Sequence, residues 1–407
     1  MKKKPELLVP ASSLEVLKTA VVFGADAVYI GGEAFGLRAK AKNFSPNQMR
    51  EGIEFAHHYN KKVYVTVNII AHNEDLEGIR AYIKELGTLN ADGLIIADPA
   101  VYEIAMEEAP QVERHISTQA NNTNYGTFLF WWRLGAKRVV TARELSLTEI
   151  KEIRQHIPKE MEIESFVHGA MCISYSGRCL LSNYFTGRDA NRGACTHPCR
   201  WKYSIVEETR PGEYMPIYEN EWGTYIFNSK DLCMIEHIPK LVDAGIDSFK
   251  IEGRMKTALY VATVARTYRK AIDDFFDDPE KYRTNMPWYQ DQISNCTYRQ
   301  FTTGFYFGKS DETTQIYDNN TYIKEYTYLG IVEGESRGRY QIFQRNKFAK
   351  GDEIEIMRPN GENIVAKVLE IMDEQDNQIE TAPHPKQKLY VKLSKKASKY
   401  DILRRKD

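Results

Sequence analysis

The chain has almost no net charge, no long hydrophobic run and few cysteines outside one segment. Lys and Arg number 55 against 56 Asp and Glu, a formal charge of -1. That balance gives no global mark of a nucleic-acid binder, so any such contact needs a local basic patch. No window approaches the roughly 20 apolar residues of a membrane span. The lysines at the N-terminus look like a signal n-region, but the apolar stretch Leu7 to Pro10 is too short for the hydrophobic region that must come next. A cytoplasmic location is expected. No GxGxxG opens the first helix, which argues against a dinucleotide fold, and neither HExxH nor GxSxG occurs. Six Cys in 407 residues do not make a disulfide scaffold. In a reducing compartment, clustered thiols bind metal or do chemistry.

What is present is an ordinary globular composition, 42% apolar and 27% charged, in a chain long enough for two domains. The first half alternates short apolar strands with amphipathic helices. Strands are predicted at Leu7–Pro10, Ala27–Gly31, Val63–Asn68, Gly93–Asp98, His115–Gln119, Arg138–Thr141, Glu162–His168 and Ser248–Glu252. Ser12 with Glu15 and Ser146 with Glu149 have capping-box spacing, and Ser45-Pro46 reads as an N-cap and first helical residue. A weak repeat supports the pattern: Phe23-Gly24-Ala25-Asp26, Leu134-Gly135-Ala136-Lys137 and Ala244-Gly245-Ile246-Asp247 each precede an apolar strand. Repeated helix–turn–strand units of this kind imply a parallel sheet covered by helices. About eight strands favour a (β/α)8 TIM-like barrel, an α/β fold, over a doubly wound sheet. The barrel is expected over residues 1–277, with a Cys-rich insertion at 169–235 after strand seven. A connecting segment is expected at 278–320, and alternating runs with Pro359-Asn360-Gly361 between them predict a small all-β, barrel-like domain over 321–407.

Five of the six Cys fall between Cys172 and Cys233: Cys172, Cys179, Cys195, Cys199 and Cys233. They lie among Gly and Arg rather than Leu and Val, which favours a metal centre over buried structural thiols. Cys195 and Cys199 fit a zinc half-site, whereas the wide gap from Cys172 to Cys179 fits neither a zinc knuckle nor a compact ferredoxin run. Spacing therefore leaves zinc and iron–sulfur open. Coming directly after strand seven, the thiols should sit at the C-terminal mouth, where barrel enzymes keep their active sites.

The other strands end in polar residues that a purely structural barrel does not need. These are Asn68, Asp98, Gln119, Asn121, Asn124, Arg143 and Glu144, then Glu164 and His168 on strand seven, and Lys250, Glu252, Arg254 and Lys256 on or after strand eight. Convergent charged and amide groups suggest a substrate pocket. Each has a plainer reading as a turn cap, a surface ion pair or a satisfied core histidine. Lys250 and Glu252 share one face of their strand.

The blocks EIESFVHGAMCISYSGRC (Glu162–Cys179), DANRGAC (Asp189–Cys195), CRW (Cys199–Trp201), KDLC (Lys230–Cys233) and KIEGRMK (Lys250–Lys256) resemble the signature blocks of peptidase family U32. The resemblance runs from about Leu7 to Phe307, and the all-β tail is similar to the C-terminal module of longer members. It implies a [4Fe–4S] cluster on Cys172, Cys179, Cys195 and Cys233, with Cys199 the uncertain position. It also implies tRNA as partner, through the anticodon loop, and prephenate-dependent hydroxylation of the wobble uridine to 5-hydroxyuridine. Relatives that act as heterodimers make a paralogous U32 partner or a homo-oligomer an expectation. In that frame Arg143, Arg178, Arg192 and Arg254 are candidates for the donor's carboxylates. Gln119, Asn121 and Asn124 would read the uracil edge, with Asn68 and Glu144 also in the pocket. Glu164, His168, Lys250 and Glu252 would do the catalytic work. Lys347, Lys350, Arg358, Lys367 and the tail Arg404-Arg405-Lys406 would grip the RNA backbone. Two alternatives remain. One is a peptidase with Cys172 as nucleophile and His168 as base, which requires a thiol not committed to a cluster. The other is a non-catalytic iron–sulfur scaffold.

Overall fold

A computed structural model of the chain describes residues 3–33, 35–36, 43–172, 174–201, 204–206, 214–216, 230–296, 298–308 and 325–407. Seven parallel strands come first: β1 (Glu6–Pro10), β2 (Ala27–Gly31), β3 (Lys62–Val67), β4 (Gly93–Ile96), β5 (Glu113–Ile116), β6 (Arg138–Val140) and β7 (Glu162–Ala170). The eighth, β8 (Ser248–Ile251), pairs in parallel with both β7 and β1. That double pairing closes the barrel and removes the doubly wound alternative.

Helices α1 (Leu14–Val22), α2 (Pro46–His58), α3 (Leu76–Thr88), α4 (Pro99–Glu108), α5 (Tyr125–Arg133) and α6 (Leu147–His156) cross between consecutive strands. The capping boxes form at Ser45 with Gln48 and at Ser146 with Glu149. Helix α1 departs from expectation. Its N-cap is Ser13, not Ser12. The Glu15 carboxylate, freed from a capping role, accepts from Tyr328 Oη at 2.9 Å and pairs with Arg345, both on the C-terminal domain. The three repeated glycines, Gly24, Gly135 and Gly245, have φ of +107°, +89° and +79°. Each takes the left-handed turn that ends a helix before the next strand, where a side chain would be strained.

The insertion between β7 and β8 carries a short helix, α7 (Leu181–Thr186), and the strand Asp231–Cys233, which pairs antiparallel with the end of β7. Helix α8 (Ile238–Asp243) leads to β8, and the long helix α9 (Ala258–Asp277) packs on α1 and β1. Six antiparallel strands between Tyr326 and Lys406 close a second, smaller barrel. Its last strand is Ile402–Lys406, the run read from sequence as a basic tail. Arg404 is fully buried, its Nε donating to Glu355 at 2.6 Å with its guanidinium 4.0 Å from the Tyr326 ring centroid. Arg405 pairs with Asp352 at 2.8 Å. Both side chains have partners inside their own domain, with Arg404 buried and Arg405 partly exposed. Residues 309–324, where the connecting segment was expected to give way to the β-domain, lie outside the described residues.

Candidate functional site

The floor of the large barrel is ionic. Arg138 on β6 donates to Glu6 at 2.6 Å, to Glu162 at 2.6 Å and to Glu164 at 3.1 Å. Glu164, fully buried, also accepts from Lys250 Nζ at 2.6 Å. Burial alone would raise its carboxyl, but Lys250 and Arg138 outweigh it and hold Glu164 below the usual carboxylate range. Burial likewise pushes Glu6 up, but the charge and hydrogen bonds of Arg138 prevail and bring its carboxyl down to about 2. Charges at this depth persist only because each has a partner.

Above this floor, at the C-terminal strand ends, a cavity of about 290 Å³ opens. Of the residues singled out from sequence, Asn68, Gln119, Arg143, Lys250, Glu252, Arg254 and Lys256 line it, together with Cys172, Cys179, Cys195 and Cys199. Thr66, Ser117, Asn191 and His197 also line it and were not found from sequence. Thr66 shares a strand face with Asn68, so alternation could have found it, whereas the short loops that bring in Asn191 and His197 carry no periodic signal.

The polar groups are held in set orientations. Gln119 sits on a single helical turn after β5, and its Oε1 accepts from Asn68 Nδ2 at 2.6 Å and from Ser117 Oγ at 3.0 Å. Its amide nitrogen, Nε2, is buried with no hydrogen-bond partner. Arg143 lies 4.1 Å from the Phe166 ring centroid and donates to Glu252 at 3.1 Å. Its Nε is likewise buried without a partner. Lys250 Nζ lies 4.6 Å from the Tyr29 ring centroid, and Arg254 donates to Thr66 at 3.0 Å. Gly169, at φ +107°, lets β7 pass the Glu252 carbonyl, against which an added Cβ would collide. The resulting wall carries four cations, with Lys256 beside Arg143, Lys250 and Arg254, one carboxylate and unsatisfied donors, an environment suited to an anionic or carbonyl-bearing ligand.

Several sequence candidates lie elsewhere. On β7 the register shifts between Lys250 and Ile251, so Val167 bulges and His168, not Val167, pairs with Ile251. A bulge reverses the facing of the residues beyond it. His168 is therefore turned away from the cavity, among the rings of Tyr260, Tyr268 and Phe301. Burial pushes its pKa down to about 4. Glu164 stays in the floor and reaches the cavity only through Lys250. Asn124 caps α5, accepting from Thr127 N at 3.0 Å. Asn121 accepts from Arg178 at 2.7 Å and donates to the Ser176 carbonyl at 2.9 Å, bracing the cysteine loop. Arg192 makes a forked pair with Asp75, both bonds at 2.9 Å. Glu144 is outside the lining, and burial raises its carboxyl.

The thiols divide. Cys172, Cys179, Cys195 and Cys199 share the cavity wall, and none of the six cysteines is in a disulfide. Cys233 lies on the strand beside β7, its Sγ 3.9 Å from Tyr268 Oη, and burial pushes its thiol up to about 11. Among the described residues no three His, Cys, Asp or Glu side chains converge closely enough to hold a metal ion. The donor chemistry of the wall, several thiols outside any disulfide on one cavity, nonetheless fits a thiolate-held iron–sulfur cluster.

Comparison with known proteins accounts for both domains. The family model for peptidase family U32 matches residues 12–316, and that for the U32 C-terminal domain matches 324–404. The tRNA hydroxylation protein P1 of Bacillus subtilis is 44% identical, over 99% of this chain and 95% of its own length. The tRNA hydroxylation protein P of Escherichia coli is 38% identical, over 88% and 87%. The 23S rRNA 5-hydroxycytidine C2501 synthase of Escherichia coli is 38% identical over 67% of this chain and 40% of its own. None of the described helices is long and apolar enough to cross a membrane. With both of its domains matched and close relatives spanning its length, the chain belongs to peptidase family U32.

Proposed function

We propose that this chain hydroxylates an unpaired uridine of tRNA at C5. The target is the wobble uridine of the anticodon loop, the product 5-hydroxyuridine and the co-substrate prephenate, with a [4Fe–4S] cluster on Cys172, Cys179, Cys195 and Cys233. Relatives named for tRNA hydroxylation and for 5-hydroxycytidine synthesis support the reaction class. The observation that carries the reading is the buried, unpartnered Gln119 Nε2 in the same cavity as Arg143, Lys250, Arg254 and the thiols. A base carbonyl and a dicarboxylate are what these groups would satisfy.

Converting C5–H to C5–OH removes two electrons from the base, so a co-reactant must be held beside it. Arg143 and Arg254 would take the carboxylates of that co-reactant through planar, forked donors. Lys250 would add a point charge, kept in position by Glu164. Gln119 would donate to a uracil oxygen, its amide oriented by Asn68 and Ser117. Tyr29 and Phe166 would wall the base from water. When bound, the cluster would supply redox chemistry on thiolate ligands. An anticodon loop is single-stranded, so drawing one base out of its stack costs little. The peptidase alternative gains nothing from the site, because His168, its base, faces the aromatic box behind β7.

Nucleoside analysis of tRNA from a strain lacking this gene and any U32 paralogue tests the reaction. Loss of 5-hydroxyuridine and its derivatives, restored by the wild-type gene but not by Gln119→Leu, is expected. Undiminished 5-hydroxyuridine in that strain would overturn the proposal.

A further inference from the structure

The rim of the cavity is apolar in an unusual way. Tyr184 is 83% exposed, Leu180 69%, Phe185 47%, Tyr175 46% and Trp201 42%. A soluble domain has no structural reason to hold so many large apolar side chains in water within about thirty residues. Three of the rings form a chain. Tyr184 and Phe185 meet edge to face with centroids 5.3 Å apart, and Phe185 lies 6.3 Å from Trp201. Tyr175 lines the cavity itself, as do Cys179 and Leu181 on either side of Leu180.

This rim is braced rather than loose. The buried Ser182 Oγ of α7 accepts from Thr196 N at 3.0 Å, tying the Tyr184–Phe185 turn to the loop from Cys195 to Cys199. The segment carries an excess of positive charge: residues 171–201 contain Arg178, Arg188, Arg192 and Arg200 against a single acid, Asp189. Arg178 and Arg188 are exposed, while Arg192 is neutralised by Asp75.

We propose that the rings of Tyr184, Phe185 and Trp201 form a stacking platform for unpaired RNA bases flanking the one in the cavity, with Arg178 and Arg188 on the adjoining phosphates. The inference rests on the RNA reading above and specifies the surface and the strandedness of the partner. Aromatic faces stack on any base, so the platform selects single strands rather than a sequence. The excess of arginine favours a polyanion over a second copy of this neutral chain as occupant.

The test measures binding of the full chain, purified anaerobically, to an RNA hairpin with an unpaired uridine in its loop and to a fully paired duplex of the same stem. Wild type is compared with Tyr184→Ala and Tyr184→Phe, neither of which touches the core. The Ala variant should bind the hairpin about tenfold more weakly, with the duplex unchanged and the Phe variant near wild type. Equal hairpin affinity for wild type and Tyr184→Ala overturns the platform and leaves the RNA reading standing. Failure of wild type to bind the hairpin at all overturns both. If light scattering shows Tyr184→Ala breaking a dimer while hairpin affinity holds, the rim is a self-association face and the platform is overturned.

Discussion

Asn68 donates to Gln119 Oε1 at 2.6 Å, and in doing so it aims the Gln119 amide nitrogen, which has no hydrogen-bond partner. An unsatisfied buried donor is a cost to the free protein that a ligand oxygen can recover. Gln119→Leu should therefore lower kcat/KM by roughly 10- to 100-fold, while the acceptor lost to Asn68 and Ser117 lowers the unfolding midpoint by only a few degrees. Steady-state kinetics beside a thermal melt would check this. A large loss of stability with normal kcat/KM would make Gln119 a structural residue.

Arg143 combines a stack on Phe166 with a bond to Glu252, and a lysine can reproduce neither the plane nor the fork. Arg143→Lys should raise KM for the anionic co-substrate by about tenfold at constant charge. Titrating prephenate at saturating tRNA reads this directly. An unchanged KM would remove Arg143 from the co-substrate site.

The fourth thiolate can be decided by iron content. Cys199 lines the cavity and Cys233 does not, yet the family resemblance assigns the ligand to Cys233. Cys172→Ala, Cys179→Ala and Cys195→Ala should each lose the iron and sulfide of the anaerobically purified protein. Cys233→Ala is expected to do the same while Cys199→Ala keeps its cluster. The reverse pattern would move the ligand to Cys199.

Acid should weaken the barrel through Glu6. Its carboxyl titrates at about 2 when folded against an ordinary 4.5, so the unfolded chain binds the proton first. The stabilisation is present above about pH 4.5 and is lost as pH falls towards 2. The gap corresponds to about 3 kcal/mol at most. Urea unfolding across that range should show wild type losing stability faster than Glu6→Gln, which starts less stable at pH 7. Parallel curves would show that Glu6 is not the group responsible.

Local signals carried most of the fold. All eight barrel strands lie within a few residues of their predicted positions, because apolar runs between Gly turns and caps are set by backbone chemistry within a dozen residues. The second barrel was legible for the same reason, apart from Ile402–Lys406. Arg404 and Arg405 of that strand read as part of a basic tail for RNA, whereas they pair with Glu355 and Asp352.

The sequence by itself also determined which residue types stand at the strand ends, and five thiols in one insertion. Tertiary structure alone decided which of these face one another. A single bulge at Val167 turned His168 out of the site, although alternation from Glu164 pointed it in. Asn124 and Arg192 were taken up by a helix cap and by Asp75. Gln119 and Asn68, 51 residues apart in the chain, became a pair only when the barrel closed. Facing and pairing depend on register and closure, which are long-range properties of the sheet and leave no trace in the local pattern.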